Sequence, residues 1–176
     1  DDDEVIRLTD GFTNDYEPIF DPEGRYLYFL SDRDFSLTFS GYEFNYLYTD
    51  PTRVYAATLA AAGPALFQQK SDEEPVQDDG AEAAEENGVE SDEGVSVTLD
   101  ADGFADRVVA LPAPAADYRA LSANADGAFF LSGQGGDTRL QIFEIESEKV
   151  EAVLTGIAGY RLSGDGGKLL YRQGDD

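Results

Sequence analysis

A turn followed by a strand is written three times along this chain, and that repeat constrains the fold more than any other feature. Asp21-Pro-Glu-Gly24 precedes Tyr26-Leu-Tyr-Phe-Leu-Ser31, Asn124-Ala-Asp-Gly127 precedes Ala128-Phe-Phe-Leu-Ser132, and Ser163-Gly-Asp-Gly166 precedes Lys168-Leu-Leu-Tyr-Arg172. Pro22 suits the second position of a tight turn and Gly24 tolerates a positive φ at the corner. Before the first turn lies Tyr16 to Phe20, so a hairpin is expected. The run after it is β-rich and almost wholly apolar, as in a strand buried on both faces.

Gly127 and Gly166 stand 39 residues apart. That is close to the about 40 to 45 residues of a four-stranded propeller blade. Gly24 and Gly127 are separated by 103 residues, enough for one blade and an insertion of roughly 60 residues at that period. The expected fold is all-β, a partial β-propeller of about two to three four-stranded antiparallel blades. Because closing a ring takes about four blades or more, the parent protein is expected to be longer.

Read in order, Glu4–Thr9 fits the outermost strand of a preceding blade, so residues 1–70 hold its end and a blade carrying an aromatic insertion. Phe35 to Asp50 is that insertion, an irregular loop with six aromatic residues. Arg53 to Leu59 follows as a strand, and Leu66-Phe67 begins a short one. Residues 71–94 carry eleven acidic residues and no basic one, a composition that cannot bury enough apolar area to order itself. Residues 95–116 form outer strands and a connector: Val95–Leu99 and Arg107–Leu111 pair around an Asp100–Asp106 turn. That turn starts like a calcium loop, but Leu111 stands at the twelfth position, where a Glu ligand belongs. Residues 117–157 are the second blade, with later strands at Arg139–Ile145 and Val150–Thr155, and residues 158–176 start a third.

The chain contains neither His nor Cys, so it lacks the commonest general base, the soft metal ligands and the thiol nucleophile. No catalytic residue, metal ligand or cofactor site is expected. The net charge of −25 opposes nucleic acid and anionic membranes as partners. It fits either a salt-adapted host or a surface that is simply very soluble. No stretch of about 18 apolar residues is present to span a bilayer as a helix.

Several motifs resemble the tricorn family of serine peptidases: Glu43-Phe-Asn-Tyr46 before Arg53-Val-Tyr-Ala-Ala-Thr-Leu59, then Ser71-Asp-Glu-Glu-Pro75, Asp102-Gly-Phe-Ala-Asp-Arg-Val-Val-Ala-Leu-Pro112 and Asp117-Tyr-Arg119. Ile157 to Arg172 is similar to the last blade of that family's second propeller. The Asp21–Gly24 turn with Tyr28–Arg33 is shared with TolB-type propellers, so a non-enzymatic protein-binding propeller is the alternative. The tricorn resemblance implies a segment that gates or filters oligopeptide substrates. It also implies a parent with a PDZ-like module and a peptidase core, a homo-oligomer placed in the cytoplasm, or alternatively the periplasm. Tyr118, Arg119, Tyr160 and Arg161 begin the innermost strands and are the candidate channel-lining residues. There an Arg either attracts a peptide carboxylate or forms a surface salt bridge. Taken alone, such an open set of blades is expected to aggregate or to be molten.

Overall fold

The computed structural model describes residues 5–34, 37–39, 46–48, 52–67 and 97–173. The first sheet is antiparallel, in the order β1 (Asp15–Phe20), β2 (Tyr26–Ser31), β5 (Arg53–Thr58) and β6 (Val108–Ala110). The second runs in strict sequence order through β7 (Tyr118–Asn124), β8 (Gly127–Ser132), β9 (Arg139–Glu144) and β10 (Lys149–Thr155). A two-stranded sheet, β11 (Ile157–Leu162) with β12 (Leu169–Gln173), follows. These sheets are the successive blades of an open, partial β-propeller.

Side-chain alternation stacks the sheets face to face. Successive residues of a strand point to opposite faces, so a strand between two cores must be apolar throughout, and every residue of β2 is buried. Its Tyr28 and Leu30 join Phe130 and Phe143 of the second sheet in the central core, while Leu27 and Phe29 face a separate cluster containing Phe104. On β8, Ala128 and Phe130 enter the central core, whereas Phe129 and Leu131 meet Ile157 in a third cluster toward β11 and β12. The central and third layers are therefore each shared by two neighbouring sheets, whereas the Leu27 and Phe29 face is covered by Leu8 and Phe104.

The repeated turns line up along one rim. Gly24, with φ 69°, closes the first turn by donating to the Asp21 carbonyl at 2.9 Å, and Gly166, with φ 68°, does the same to Ser163 at 2.9 Å. In the second sheet the Asn124 side-chain oxygen accepts from the amides of Asp126 and Gly127 at 3.0 and 3.1 Å. Adjacent turns are also joined. Arg25 Nη2 donates to the Ala125 carbonyl at 3.2 Å, and Asn124 Nδ2 donates to the Gly166 carbonyl at 3.3 Å.

Four expectations need correction. Residues 5–9 form no strand; Leu8 lies instead against the Leu27 and Phe29 face of the first sheet. Within the aromatic stretch, β3 (Leu37–Phe39) pairs with β4 (Tyr46–Tyr48), so part of that loop is an antiparallel ribbon. Leu66-Phe67 starts no strand; Leu66 is buried in the central core and Phe67 meets the Phe143 ring edge-on at 5.9 Å. Finally, residues 97–99 are not a strand, and Arg107–Leu111 contributes only Val108–Ala110, paired to β5. The reason is Arg107, whose guanidinium binds the carbonyls of Thr58, Leu59, Asp100 and Asp102. That grip draws the preceding chain across the end of β5, where Phe104 is folded into the core by a 310 turn. The acidic tract at 71–94 lies outside the described residues.

Candidate functional site

Strands β1, β7 and β11 open their respective sheets and pack against one another, which makes them the innermost strands. Their pairing with the second strand of each sheet is irregular. The register shifts between Tyr16 and Ile19 in β1, between Arg119 and Ser122 in β7, and between Ile157 and Gly159 in β11. In the first two bulges a non-glycine residue adopts left-handed backbone, Glu17 with φ 48° and Ala120 with φ 55°. Counted from the paired serines Ser31 and Ser132, these residues occupy the same place in their sheets.

A bulge takes backbone groups out of the ladder, and those groups must be satisfied elsewhere. Here the neighbouring inner strand satisfies them. Glu17 Oε2 accepts from the Leu121 amide at 3.1 Å, and the Tyr160 hydroxyl donates to the Ala120 carbonyl at 2.6 Å while lying 2.8 Å from Ser122 Oγ. Burial pushes the Tyr160 phenol up to about 12. One bulge is thus gripped from both sides, by β1 and by β11.

The four candidate residues have different surroundings. Tyr118 is only 4% exposed; its hydroxyl donates to the Pro114 carbonyl at 2.7 Å and its ring meets Phe130 edge-on at 5.2 Å. Burial raises its phenol above the ordinary value. Arg119 donates to the Gly133 carbonyl and, at 3.2 Å, to Thr138 Oγ1. Tyr160 does not begin its strand, since β11 starts at Ile157, and it lies opposite Tyr171. Arg161 is exposed, opposite Leu170, and its side chain carries no hydrogen bond or ion pair among the described residues. The two Tyr-Arg pairs are therefore not equivalent, because Tyr118 starts β7 opposite Ser132 whereas Tyr160 sits in mid-strand.

Among the described residues no group of three or more acidic side chains is arranged to hold a metal ion. Whole-chain comparison decides the family, for the model of the tricorn protease second beta propeller domain matches residues 1–176. The chain belongs to the tricorn second-propeller family. Tricorn protease homolog 1 of Streptomyces coelicolor is 30% identical over 171 residues, covering 89% of this chain and 16% of that protein. The tricorn protease homolog of Saccharolobus solfataricus is 28% identical over 179 residues, covering 96% of this chain and 15% of its own. A crystal structure of the tricorn protease aligns over 97% of this chain and 16% of that one, with a TM-score of 0.66 at 17% identity, a likeness of fold. This tricorn propeller segment therefore spans about a sixth of the length of those relatives.

Glu17 and Ser122 escape a reading of the sequence. Neither glutamate nor alanine favours left-handed backbone, so nothing in the residue types marks the bulges at Glu17 and Ala120. The one available signal is positional: both precede an aligned turn by four residues, as counting back from Asp21 and Asn124 shows.

Proposed function

We propose that this tricorn propeller segment is a non-catalytic channel wall in a serine peptidase that degrades short peptides, and that it filters substrates by size and charge. The observation that carries the reading is the stack of three inner strands, cross-linked through the Ala120 bulge. Such a wall has a fixed inner surface along which an extended peptide can pass. The names of the relatives, tricorn proteases, supply the reaction class. A chain with neither His nor Cys lacks the commonest general base and the thiol nucleophile. On this reading the catalytic residues belong to a peptidase core elsewhere in the parent, alongside a PDZ-like module. The parent is a cytoplasmic homo-oligomer, and Arg119 and Arg161 supply positive charge along the peptide's route.

Gly159 offers the test. It lies on β11, and a side chain built there would meet nothing within 4 Å. In the intact protein, Gly159→Trp is expected to slow cleavage of long peptides severalfold more than cleavage of a small chromogenic amide. An unchanged length dependence in the folded variant would overturn the filter.

A further inference from the structure

Of the nine arginines in this acidic chain, Arg7, Arg139, Arg161 and Arg172 are exposed, and four of the five half-buried ones are occupied. Arg25 is paired with Asp21 and Glu23, Arg33 with Asp15, and Arg53 with Asp34. Arg107 spreads its donors over four backbone carbonyls. Arg119 differs. It sits in the protein's interior edge with one bond to a carbonyl and one to a hydroxyl, and no carboxylate pairs with it among the described residues. A guanidinium has five N–H donors, so three remain for something else.

Arg119 borders a cleft of about 300 Å³ at the junction of the second sheet with β11. Its lining includes Arg119, Gly135, Gly136, Thr138, Gly156 and Ile157, and not one carboxylate, in a chain whose net charge is −25. The entrance is open at its glycines. A Cβ at Gly135 or Gly136 would meet no atom within 4 Å, and one at Gly156 would reach only the Gly136 carbonyl, at 4.0 Å. Thr138 is buried and donates to the Gly135 carbonyl at 2.9 Å while accepting from Arg119, which fixes the guanidinium in place.

From this arrangement we infer a carboxylate-binding subsite at Arg119, which takes the free C-terminus of a peptide arriving at this part of the wall. The planar fork of donors matches a carboxylate, and the adjacent glycines let the last residues of the peptide approach the backbone. The inference deepens the substrate-filter reading and rests on it. Arg161, although also cationic, lies on an exposed strand and does not line this cleft.

The test is binding, followed separately from cleavage, on the intact protein. The probes are N-acetyl tetra-alanine with a free carboxylate, the same peptide as its C-terminal amide, and a C-terminal amide carrying one internal Glu. The free acid is expected to bind about tenfold more tightly than the plain amide, as a charge-assisted pair warrants. Arg119→Gln should erase that preference, and Lys149→Gln, at an exposed site on β10, should leave it. Because Arg119 also pins the turn at Gly133, Gly136→Asp provides a second variant, placing a carboxylate at the mouth without touching Arg119; it too should erase the preference, with an unaltered melt. If the Glu-bearing amide binds like the acid, the subsite stands and accepts side-chain carboxylates as well. Equal binding of acid and plain amide, or a preference that survives both variants, overturns it. A preference in a protein that cleaves no peptide would sink the peptidase reading alone.

Discussion

Asp21 has no exposed side-chain surface, and its carboxylate receives Arg25 through two side-chain bonds of 2.9 and 3.0 Å and through the Arg25 amide at 3.0 Å. Removing the Asp21 carboxylate takes a charged acceptor from the Arg25 amide while the partly exposed guanidinium keeps Glu23, a loss of about 1.5 kcal/mol. Asp21→Ala should therefore lower the local stability of β2 by about that amount, read by hydrogen exchange of its amides in the intact protein. Asp21→Asn should cost less, since Asn124 closes the matching turn of the second sheet with neutral bonds. Tyr160 gives a pH prediction. Its phenol is pushed up to about 12 from an ordinary 10.0 by burial. A raised phenol favours the neutral form in the folded state, so its stabilising contribution is complete below pH 10 and disappears as pH climbs through about 12. Tyr160→Phe should make that alkaline limb shallower in a denaturation series across the same range, the remainder coming from other buried phenols such as Tyr28 and Tyr118. Fluorescence-detected unfolding would show whether the slope falls.

Bulges and close approaches decide which strand substitutions are tolerated. Ala120 holds left-handed backbone, φ 55°, at a conformational cost of about 1 kcal/mol relative to glycine. Ala120→Gly should therefore be neutral or stabilising in an unfolding titration despite lying in a strand. Gly127 is the reverse case. A Cβ there would stand 1.8 Å from the Phe143 carbonyl oxygen on β9, a backbone atom that cannot turn aside. Gly127→Ala should separate β8 from β9 and destabilise by more than about 2 kcal/mol, as overpacking of a tight site does. Much at this scale was legible in the sequence: the turns at Asp21–Gly24 and Asn124–Gly127, and the two-sided burial of β2. The pairing of Leu37–Phe39 with Tyr46–Tyr48 was not, since six aromatics interrupted by Ser and Gly show no period of two. Nor was the failure of Val97–Leu99 as a strand, because the Arg107 grip joins residues up to 49 positions apart. The Arg119 cleft was hidden for a related reason. Its walls come from two separate turns, and only the fold brings Gly135 to Gly156.

Across the described residues, two apolar layers are shared between neighbouring sheets, and the last sheet takes part in one of them only, with the second sheet. Leu170 is 74% exposed and Tyr171 46% exposed on β12. Exposed apolar strands of this kind are templates for association. This chain alone should self-associate, and Leu170→Lys should raise the monomer fraction in sedimentation velocity; a wild-type chain that is monomeric with a sharp melt would refute this. The nearly unbroken apolar runs of β2 and β8 made the layers readable from sequence, whereas the links between turns were not. Those links have a mechanical meaning. Arg25 is hooked to Ala125, and Asn124 to Gly166. A vane that swings outward must first unhook from the next, so the rim couples neighbouring vanes as the leaves of a camera iris are coupled.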